Sequence, residues 1–233
     1  MRKITNPYEH ILNFIKALQK LFEPSAPVAL PPAPSEEADL AEIVDGWPEY
    51  DGPLEYIPRG RKGMIKVYGD PSVTYTRKGA RVSREFARQL HTVPSDRIPG
   101  YHRRIYMHRL VTPYFVEAMR RTRVVAPDYK ITSIGCFNPR HMRHDKSRPL
   151  SDHTWAVAFD VNGSKNRARY RKPGDPVPFD DEWYSKGFGD MPKAMVLAWE
   201  SLGFTWGGRW GVPKEGRRDR GGFHDPMHFS LRR

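Results

Sequence analysis

Five prolines among residues 24–34 divide this chain into parts that must fold differently. Proline fixes its φ angle and lacks a backbone N–H, so this segment is expected to be an extended, semi-rigid linker. Before it, residues 1–22 carry apolar side chains at helical spacing on one face, which predicts an amphipathic helix. We assign residues 23–59 to a Pro-rich acidic linker. Residues 60–233 are long enough to bury the core of one compact domain.

Cysteine content and hydropathy exclude several classes of protein. Cys136 is the only cysteine, so an internal disulfide and a four-cysteine zinc site are both excluded. The apolar runs are short, and no segment is expected to span a membrane. His10, Asn13 and Lys16 interrupt the N-terminal helix, which is not expected to be a signal peptide. Its apolar face is predicted to dock on the protein or a sister chain, or to bind an acidic surface with Lys16 and Lys20 beside it.

Charge is distributed unevenly along the chain. The formal net charge is +12 at pH 7, yet residues 23–53 contain eight acidic side chains and no Lys or Arg. Residues 54–233 therefore carry +17. This excess favours an anionic partner, and nucleic acid, an acidic membrane surface and an anionic cell-wall polymer all fit.

The domain shows short helical and strand patterns that do not alternate regularly. Helices are predicted over Ser83–Leu90, from a cap at Thr112, and from a cap at Asp190. Strands are predicted at Tyr129–Ile134, Ala156–Val161 and Met227–Leu231. This order favours an α+β fold with a small antiparallel sheet flanked by helices.

Two histidines and two aspartates form a candidate site. His153, Asp160 and His228 would supply two imidazoles and a carboxylate, a three-ligand set that leaves the fourth position of zinc open. Asp225 precedes His228 by three residues, so its carboxylate would lie near the metal as a general base. Spacing alone leaves open that these are ordinary core or surface residues.

Four segments, in this order and spacing, resemble one family. Residues 151–160, SDHTWAVAFD, resemble the Ser-x-His-x-x-Gly-x-Ala-x-Asp signature of the D-alanyl-D-alanine carboxypeptidase and L-alanyl-D-glutamate endopeptidase family of zinc peptidases. Residues 225–229, DPMHF, are similar to its closing Asp/Glu-x-x-His-Phe motif. Residues 203–210, GFTWGGRW, and residues 135–140, GCFNPR, resemble its Gly/Trp-rich segment and its arginine-bearing segment. The resemblance extends from about residue 62 to the C-terminus.

The resemblance implies a fold, a chemistry and a set of roles. The fold would be that of hedgehog and D,D-peptidase domains, and the substrate would be peptidoglycan. His153, Asp160 and His228 match the Zn²⁺ ligands, Asp225 matches the general base, and Arg140 matches the arginine that holds the scissile carbonyl or a substrate carboxylate. Bound zinc would lower the pKa of water, and Asp225 would take the proton. A phage or prophage lysis enzyme of the endolysin type, held in the cytoplasm until it is released to the cell wall, would fit this family.

Other residues near the motifs have two interpretations. Ser151 would contact substrate or form a turn, and Trp206 and Trp210 would line a substrate groove or pack in the core. Ala156 stands where the family has glycine, which an extended backbone tolerates and a positive φ does not. Ala156 and the bulky Trp155 would narrow the groove or slow the enzyme.

Two alternatives to a peptidase remain at this point. A nucleic-acid-binding protein or metal nuclease would explain the Arg/Lys-rich stretches 102–109, 120–123 and 165–172, although not the four ordered motifs, so nucleic acid is the less favoured partner. A catalytically inactive wall-binding relative would keep the ligands and lose turnover. Amide hydrolysis separates both alternatives from the peptidase.

Overall fold

A computed structural model of the chain describes Tyr50 and residues 57–232. The predicted helix at 1–22 and most of the predicted linker at 23–59 lie outside the described residues, so these boundaries stay predictions. Within the described ranges, no helix combines the length and apolar character needed to cross a bilayer.

Helices and strands are short and mixed along the domain, which confirms the predicted α+β class. The α-helices are α1 (Gly60–Tyr68), α2 (Arg84–Ala87), α3 (Thr112–Val125), α4 (Asp181–Ser185) and α5 (Lys193–Glu200). Single 3-10 turns occur at Ser95–Arg97, Met142–His144, Asp152–Trp155 and Gly207–Arg209. The strands are β1 (Thr74–Thr76), β2 (Gly79–Arg81), β3 (Leu90–Val93), β4 (Ile105–His108), β5 (Ile134–Gly135), β6 (Ala158–Val161), β7 (Arg169–Arg171), β8 (Thr205–Trp206), β9 (Gly222–His224) and β10 (His228–Ser230).

A four-stranded antiparallel sheet forms the centre of the domain, in the order β5-β6-β10-β8. Three two-stranded antiparallel ribbons, β1–β2, β3–β4 and β7–β9, surround it. Within the described ranges the longest helix is α3, which begins with Thr112 itself and has Pro113 in its first turn, where the missing N–H of proline costs no hydrogen bond.

Aromatic side chains of the central sheet pack against aromatic side chains of α3 and α5. Phe159 of β6 stacks on Phe115 of α3 with ring centroids 4.5 Å apart, and Phe229 of β10 lies 4.5 Å from Trp199 of α5. All four rings are fully buried, and each contributes about 1.5–3 kcal/mol of hydrophobic stabilisation. Because side chains alternate along a strand, burial of Phe159 and Phe229 on one face directs their neighbours to the other face.

Two predicted helices have different bounds in the structure. The helix predicted over Ser83–Leu90 ends at Ala87, because Leu90 already pairs in β3. The helix predicted to start at Asp190 starts at Lys193. Asp190 does not cap it, since its Oδ1 accepts hydrogen bonds from the Tyr129 hydroxyl at 2.7 Å and from Asn166 at 2.8 Å.

The strand predicted at Tyr129–Ile134 is wrong except for its last residue, which begins β5. Backbone N–H groups of this segment donate to the Asn162 side chain instead of to a neighbouring strand. Oδ1 of Asn162 accepts from the N–H groups of Thr132 at 2.8 Å and of Ser133 at 3.2 Å. A side-chain cap of this kind over a distance of 30 residues leaves no periodic signal in the local sequence.

Candidate metal centre

The paired strands β6 and β10 bring Asp160 and His228 together. The two residues are direct partners in the antiparallel register, and both lie on the face opposite Phe159 and Phe229. The Nδ1 atom of His228 lies 3.2 Å from Oδ1 of Asp160. His228 is 6% exposed, so its ring is positioned almost entirely by the surrounding protein.

His153 completes the group from the 3-10 turn that precedes β6. Its Nε2 atom lies 3.1 Å from Oδ2 of Asp160, and its Nδ1 atom lies 2.6 Å from the carbonyl oxygen of Cys136. A carbonyl only accepts hydrogen bonds, so Nδ1 carries a proton and Nε2 is the ring nitrogen that faces the site. Histidines that bind metals are commonly oriented in this way by a backbone carbonyl.

The three side chains fit a metal ion by donor type and by position. One potential ligand atom from each of His153, Asp160 and His228 lies within 4.8 Å of the others. Among the residues that the structure describes, this is the one group of histidine, cysteine and acidic side chains with such geometry. Two imidazole nitrogens and one carboxylate oxygen are a ligand set suited to catalytic zinc.

The electrostatics of the group keep Asp160 ionised. Burial acts to raise the pKa of the Asp160 carboxyl, but hydrogen bonds from His153 and His228 and the charges of these rings outweigh it and lower the pKa. Burial acts to lower the pKa of His228, and the hydrogen bond and charge of Asp160 outweigh it and raise the pKa. A cation that binds here replaces the protons that otherwise neutralise this carboxylate.

Asp225 lies between β9 and β10, beside the three ligand candidates. Its Oδ1 atom is buried and has no hydrogen-bond partner in the described part of the chain. Burial is the main cause that raises the pKa of Asp225 to about 6, and the Asp160 carboxylate adds to it, while nearby positive charges act in the opposite direction. A carboxyl group with a pKa near neutrality can both accept and release a proton at physiological pH.

Arg140 is half-buried and held next to the turn that carries His153. Its backbone N–H donates to Oγ1 of Thr154 at 3.0 Å, and the Thr154 hydroxyl donates to the Arg140 carbonyl at 2.9 Å. The guanidinium donates to the Asn138 carbonyl at 3.3 Å, and its positive charge helps to lower the pKa of Asp225. The positive charge of Arg140 therefore acts on the same site as the candidate base.

The three predicted substrate-binding residues have different positions. Trp206 is fully buried, stacks on Phe179 and donates its indole N–H to the Pro226 carbonyl at 2.7 Å, so the prediction that it lines a groove is wrong. Trp210 is partly exposed, and its ring centroid lies 5.3 Å from that of His228. Ser151 is buried beside the site, where its N–H donates to the Arg140 carbonyl at 2.9 Å.

The backbone at Ala156 has the conformation that favours glycine, the residue expected at this position from the family resemblance. Ala156 ends the His153 turn with φ 54° and ψ 41°, in the left-handed region, and the predicted strand therefore begins two residues later, at Ala158. The extra methyl group is fully buried. Trp155 is also buried, with its indole N–H on the Gly69 carbonyl at 3.0 Å, so the expectation that it narrows a substrate groove is wrong.

Gly207 is a positioning residue that motif analysis did not identify. A β-carbon at Gly207 would lie 2.6 Å from the carbonyl oxygen of Asp225 and 3.1 Å from its Cβ. The Asp225 N–H also donates to the Gly207 carbonyl at 3.1 Å. Only glycine lets the two backbones approach this closely, and the Gly-Gly pair at 207–208 was the one signal for it in the sequence.

Comparison with known proteins supports the family resemblance for the part of the chain that holds this site. Residues 144–231 match the family model described as D-alanyl-D-alanine carboxypeptidase. The matched segment covers well under half of the chain; it includes the three ligand candidates and Asp225, and it begins after Arg140. It supports a peptidase of the D-alanyl-D-alanine carboxypeptidase kind. No curated protein and no solved structure matches the chain.

Proposed function

We propose that this protein is a zinc-dependent peptidase that hydrolyses an amide bond in the stem peptides of peptidoglycan. The observation that carries the proposal is the convergence of His153, Asp160 and His228 next to the buried, unpartnered carboxylate of Asp225. These residues lie within the segment that matches the carboxypeptidase family model.

Each residue of the site has a definite task in such a reaction. Nε2 of His153, a carboxylate oxygen of Asp160 and Nδ1 of His228 would hold Zn²⁺, which when bound polarises the scissile carbonyl and lowers the pKa of water. Asp225 accepts a proton from the attacking water and passes it to the leaving nitrogen. The guanidinium of Arg140 stabilises negative charge on the carbonyl oxygen, and its planar fork suits a carboxylate equally well.

An anionic cell-wall polymer is a second partner that the charge distribution supports. Residues 211–221, here called the basic loop, follow Trp210 directly, and four of their cations line a cavity of about 420 Å³: Lys214, Arg217, Arg218 and Arg220. The charge of Asp219 in this loop is neutralised by Arg171, which donates two hydrogen bonds of 2.7 Å to its carboxylate. The loop therefore presents an excess of positive charge close to the site.

A role as a phage or prophage lysis enzyme, released from the cytoplasm to the wall, is part of the same proposal and rests on the resemblance to the endolysin type. The choice between a D,D-carboxypeptidase and an L-alanyl-D-glutamate endopeptidase is left to experiment.

The alternatives differ in what supports them. Against a nucleic-acid surface at 120–123, Arg120 and Arg121 both donate to Glu117, at 2.6 and 2.7 Å, so this carboxylate balances one of their two positive charges within α3. An inactive wall-binding relative has one observation in its favour, the left-handed Ala156, whose strain lies between two ligand candidates.

Digestion of purified peptidoglycan tests the proposal. Zinc-loaded protein is incubated with the polymer, with and without a chelator, and the released fragments are identified by mass spectrometry. We expect chelator-sensitive release of peptide fragments whose new termini identify the bond. Absence of release from several wall types in the presence of zinc would contradict the proposal and favour the inactive relative.

A further inference from the structure

A strip of aromatic rings leads away from the candidate metal centre along the β7–β9 ribbon. Trp210, next to His228, stacks at 28° on Phe223 with ring centroids 6.3 Å apart, and Phe223 lies 5.7 Å from Tyr170. Phe223 and Tyr170 are partners in the register of the ribbon and therefore lie on the same face. Tyr170 is 62% exposed, so the far end of this aromatic strip is open to a ligand.

The guanidinium of Arg143 lies across this far end. Its central carbon is 4.9 Å from the ring centroids of both Tyr170 and Phe223, and it donates a hydrogen bond to the Tyr170 hydroxyl. Contacts of this kind hold a guanidinium by attraction to the π faces without neutralising it. No ion pair of Arg143 occurs in the described ranges, and the nearby Asp145 accepts hydrogen bonds from Ser147 and Arg148 instead.

The backbone of this loop is strained in a way that places Arg143 there. Arg143 and His144 have φ angles of 56° and 58°, two consecutive left-handed residues without a glycine. Each costs about 1 kcal/mol or more, and such strain persists only where the surrounding contacts enforce it. Here the enforcing contacts are the Met142 N–H on the Pro149 carbonyl at 2.9 Å and the His141 N–H on the Tyr75 hydroxyl at 3.1 Å.

An unpaired guanidinium on rigid rings is suited to one ligand group in particular. Its planar fork binds a carboxylate through two parallel hydrogen bonds, and a single guanidinium balances the single charge of a carboxylate. The ring faces of Phe223 and Trp210 offer an apolar path for an extended peptide between Arg143 and the metal centre.

We propose that Arg143 and the aromatic strip form a subsite for a free carboxylate on the peptide substrate, at a distance from the scissile bond. The inference rests on the proposed function. For cleavage at the D-alanyl-D-alanine end of a stem peptide, it assigns the α-carboxylate of the D-glutamyl residue to Arg143 and the peptide between that residue and the scissile bond to the aromatic strip.

Two synthetic stem pentapeptides test the subsite. They are L-alanyl-γ-D-glutamyl-L-lysyl-D-alanyl-D-alanine and the same peptide with the D-glutamyl α-carboxylate converted to a carboxamide. Steady-state kinetics on both peptides are measured for the full-length zinc-loaded protein, for Arg143→Gln, and for Arg61→Gln, which removes an exposed arginine of α1 as a matched control. Binding of both peptides to Asp225→Asn protein, with and without Arg143→Gln, is measured by calorimetry.

We expect the parent protein to prefer the carboxylate peptide by about tenfold in kcat/KM, the strength of one exposed charge-assisted hydrogen-bonded pair. Arg143→Gln should abolish this preference by raising KM for the carboxylate peptide alone, and Arg61→Gln should retain it. A merely structural role would affect both peptides equally.

The subsite is overturned if Arg143→Gln keeps the preference, or if neither hydrolysis nor binding distinguishes the two peptides. The binding measurement separates this failure from failure of the proposed function. Arg143-dependent preference in binding without hydrolysis by the zinc-loaded parent protein would support the subsite and contradict the peptidase.

Discussion

Replacing Ala156 by glycine measures the strain that lies between the ligand candidates. The Ala156 backbone is held in the left-handed region from both sides: its N–H donates to the His153 carbonyl at 3.2 Å, and its carbonyl accepts from the His108 N–H at 3.0 Å. The residue is therefore unable to relax to a more favourable φ. Ala158, two residues on, is equally buried but extended within β6, and it provides the matched control.

The magnitudes of three effects decide the expected outcome. Either substitution removes one buried methyl group, about 0.8 kcal/mol, and gives the unfolded chain more freedom, about 0.4–1 kcal/mol. Ala156→Gly alone also relieves left-handed strain of about 1–2 kcal/mol. Ala158→Gly should therefore lower the free energy of unfolding by roughly 1–2 kcal/mol, whereas Ala156→Gly should leave it almost unchanged.

Urea denaturation of both variants at saturating zinc, followed by far-ultraviolet circular dichroism, checks this difference. A difference of about 1 kcal/mol between the free energies of unfolding of the two variants corresponds to about 2–4 °C in Tm for a chain of this size. Equal losses in the two variants, or a larger loss for Ala156→Gly, would refute the assignment of strain to Ala156. Hydrolysis by Ala156→Gly at the parent rate would also remove the support that Ala156 gives to the inactive relative.

Three further outcomes are expected. His108→Gln should flatten the dependence of the free energy of unfolding on pH between about 6.5 and 4. The His108 ring is buried and neutral, donates to the Tyr68 carbonyl at 3.1 Å and accepts from the Leu110 N–H at 3.2 Å; burial is the main cause that lowers its pKa to about 4. Its contribution is complete above pH 6.5 and is lost as pH falls toward 4, by up to about 1.4 kcal/mol per pH unit, and an unchanged slope in the variant would contradict this. Alanine at His153 or His228 should abolish stoichiometric zinc and hydrolysis together, as measured by elemental analysis and peptide release, and retained hydrolysis would remove these residues as ligands. Neutralising the four cations of the basic loop should weaken binding to phosphate-rich wall polymer and reduce its salt dependence in a sedimentation assay. The matched control neutralises four exposed cations elsewhere: Arg61, Lys62, Arg77 and Lys78. An equal loss of binding in this control would show that the basic loop has no specific role in binding the polymer.

The central pairing of the site was accessible to sequence reasoning because it lies in short motifs on neighbouring strands. The resemblance of residues 151–160 and 225–229 to the family motifs made His153, Asp160 and His228 ligand candidates, and the structure pairs the strands predicted within these two segments. The α+β class followed from the irregular order of the elements. Both inferences used local patterns, which short-range sterics and burial determine.

The errors concern residues whose position depends on distant parts of the chain. Trp206 lies within a motif next to the site, but its burial depends on Phe179 and Pro226, which no local pattern connects to it. The conformation of Tyr129 likewise depends on Asp190, 61 residues away. Arg143 was not among the candidate site residues, because only the folded ribbon shows the two rings that hold it.

Zinc content and turnover of Asp225→Asn, measured on the same preparation, test the account most directly. Asp225 is assigned to proton transfer and not to the metal, so the variant should bind one zinc ion per chain, as the parent protein should. It should hydrolyse stem peptides at least about a hundredfold more slowly, the usual contribution of a general base. Loss of zinc would make Asp225 a ligand, and unchanged turnover would remove it from the reaction; either result would contradict the proposed division of roles among these four residues.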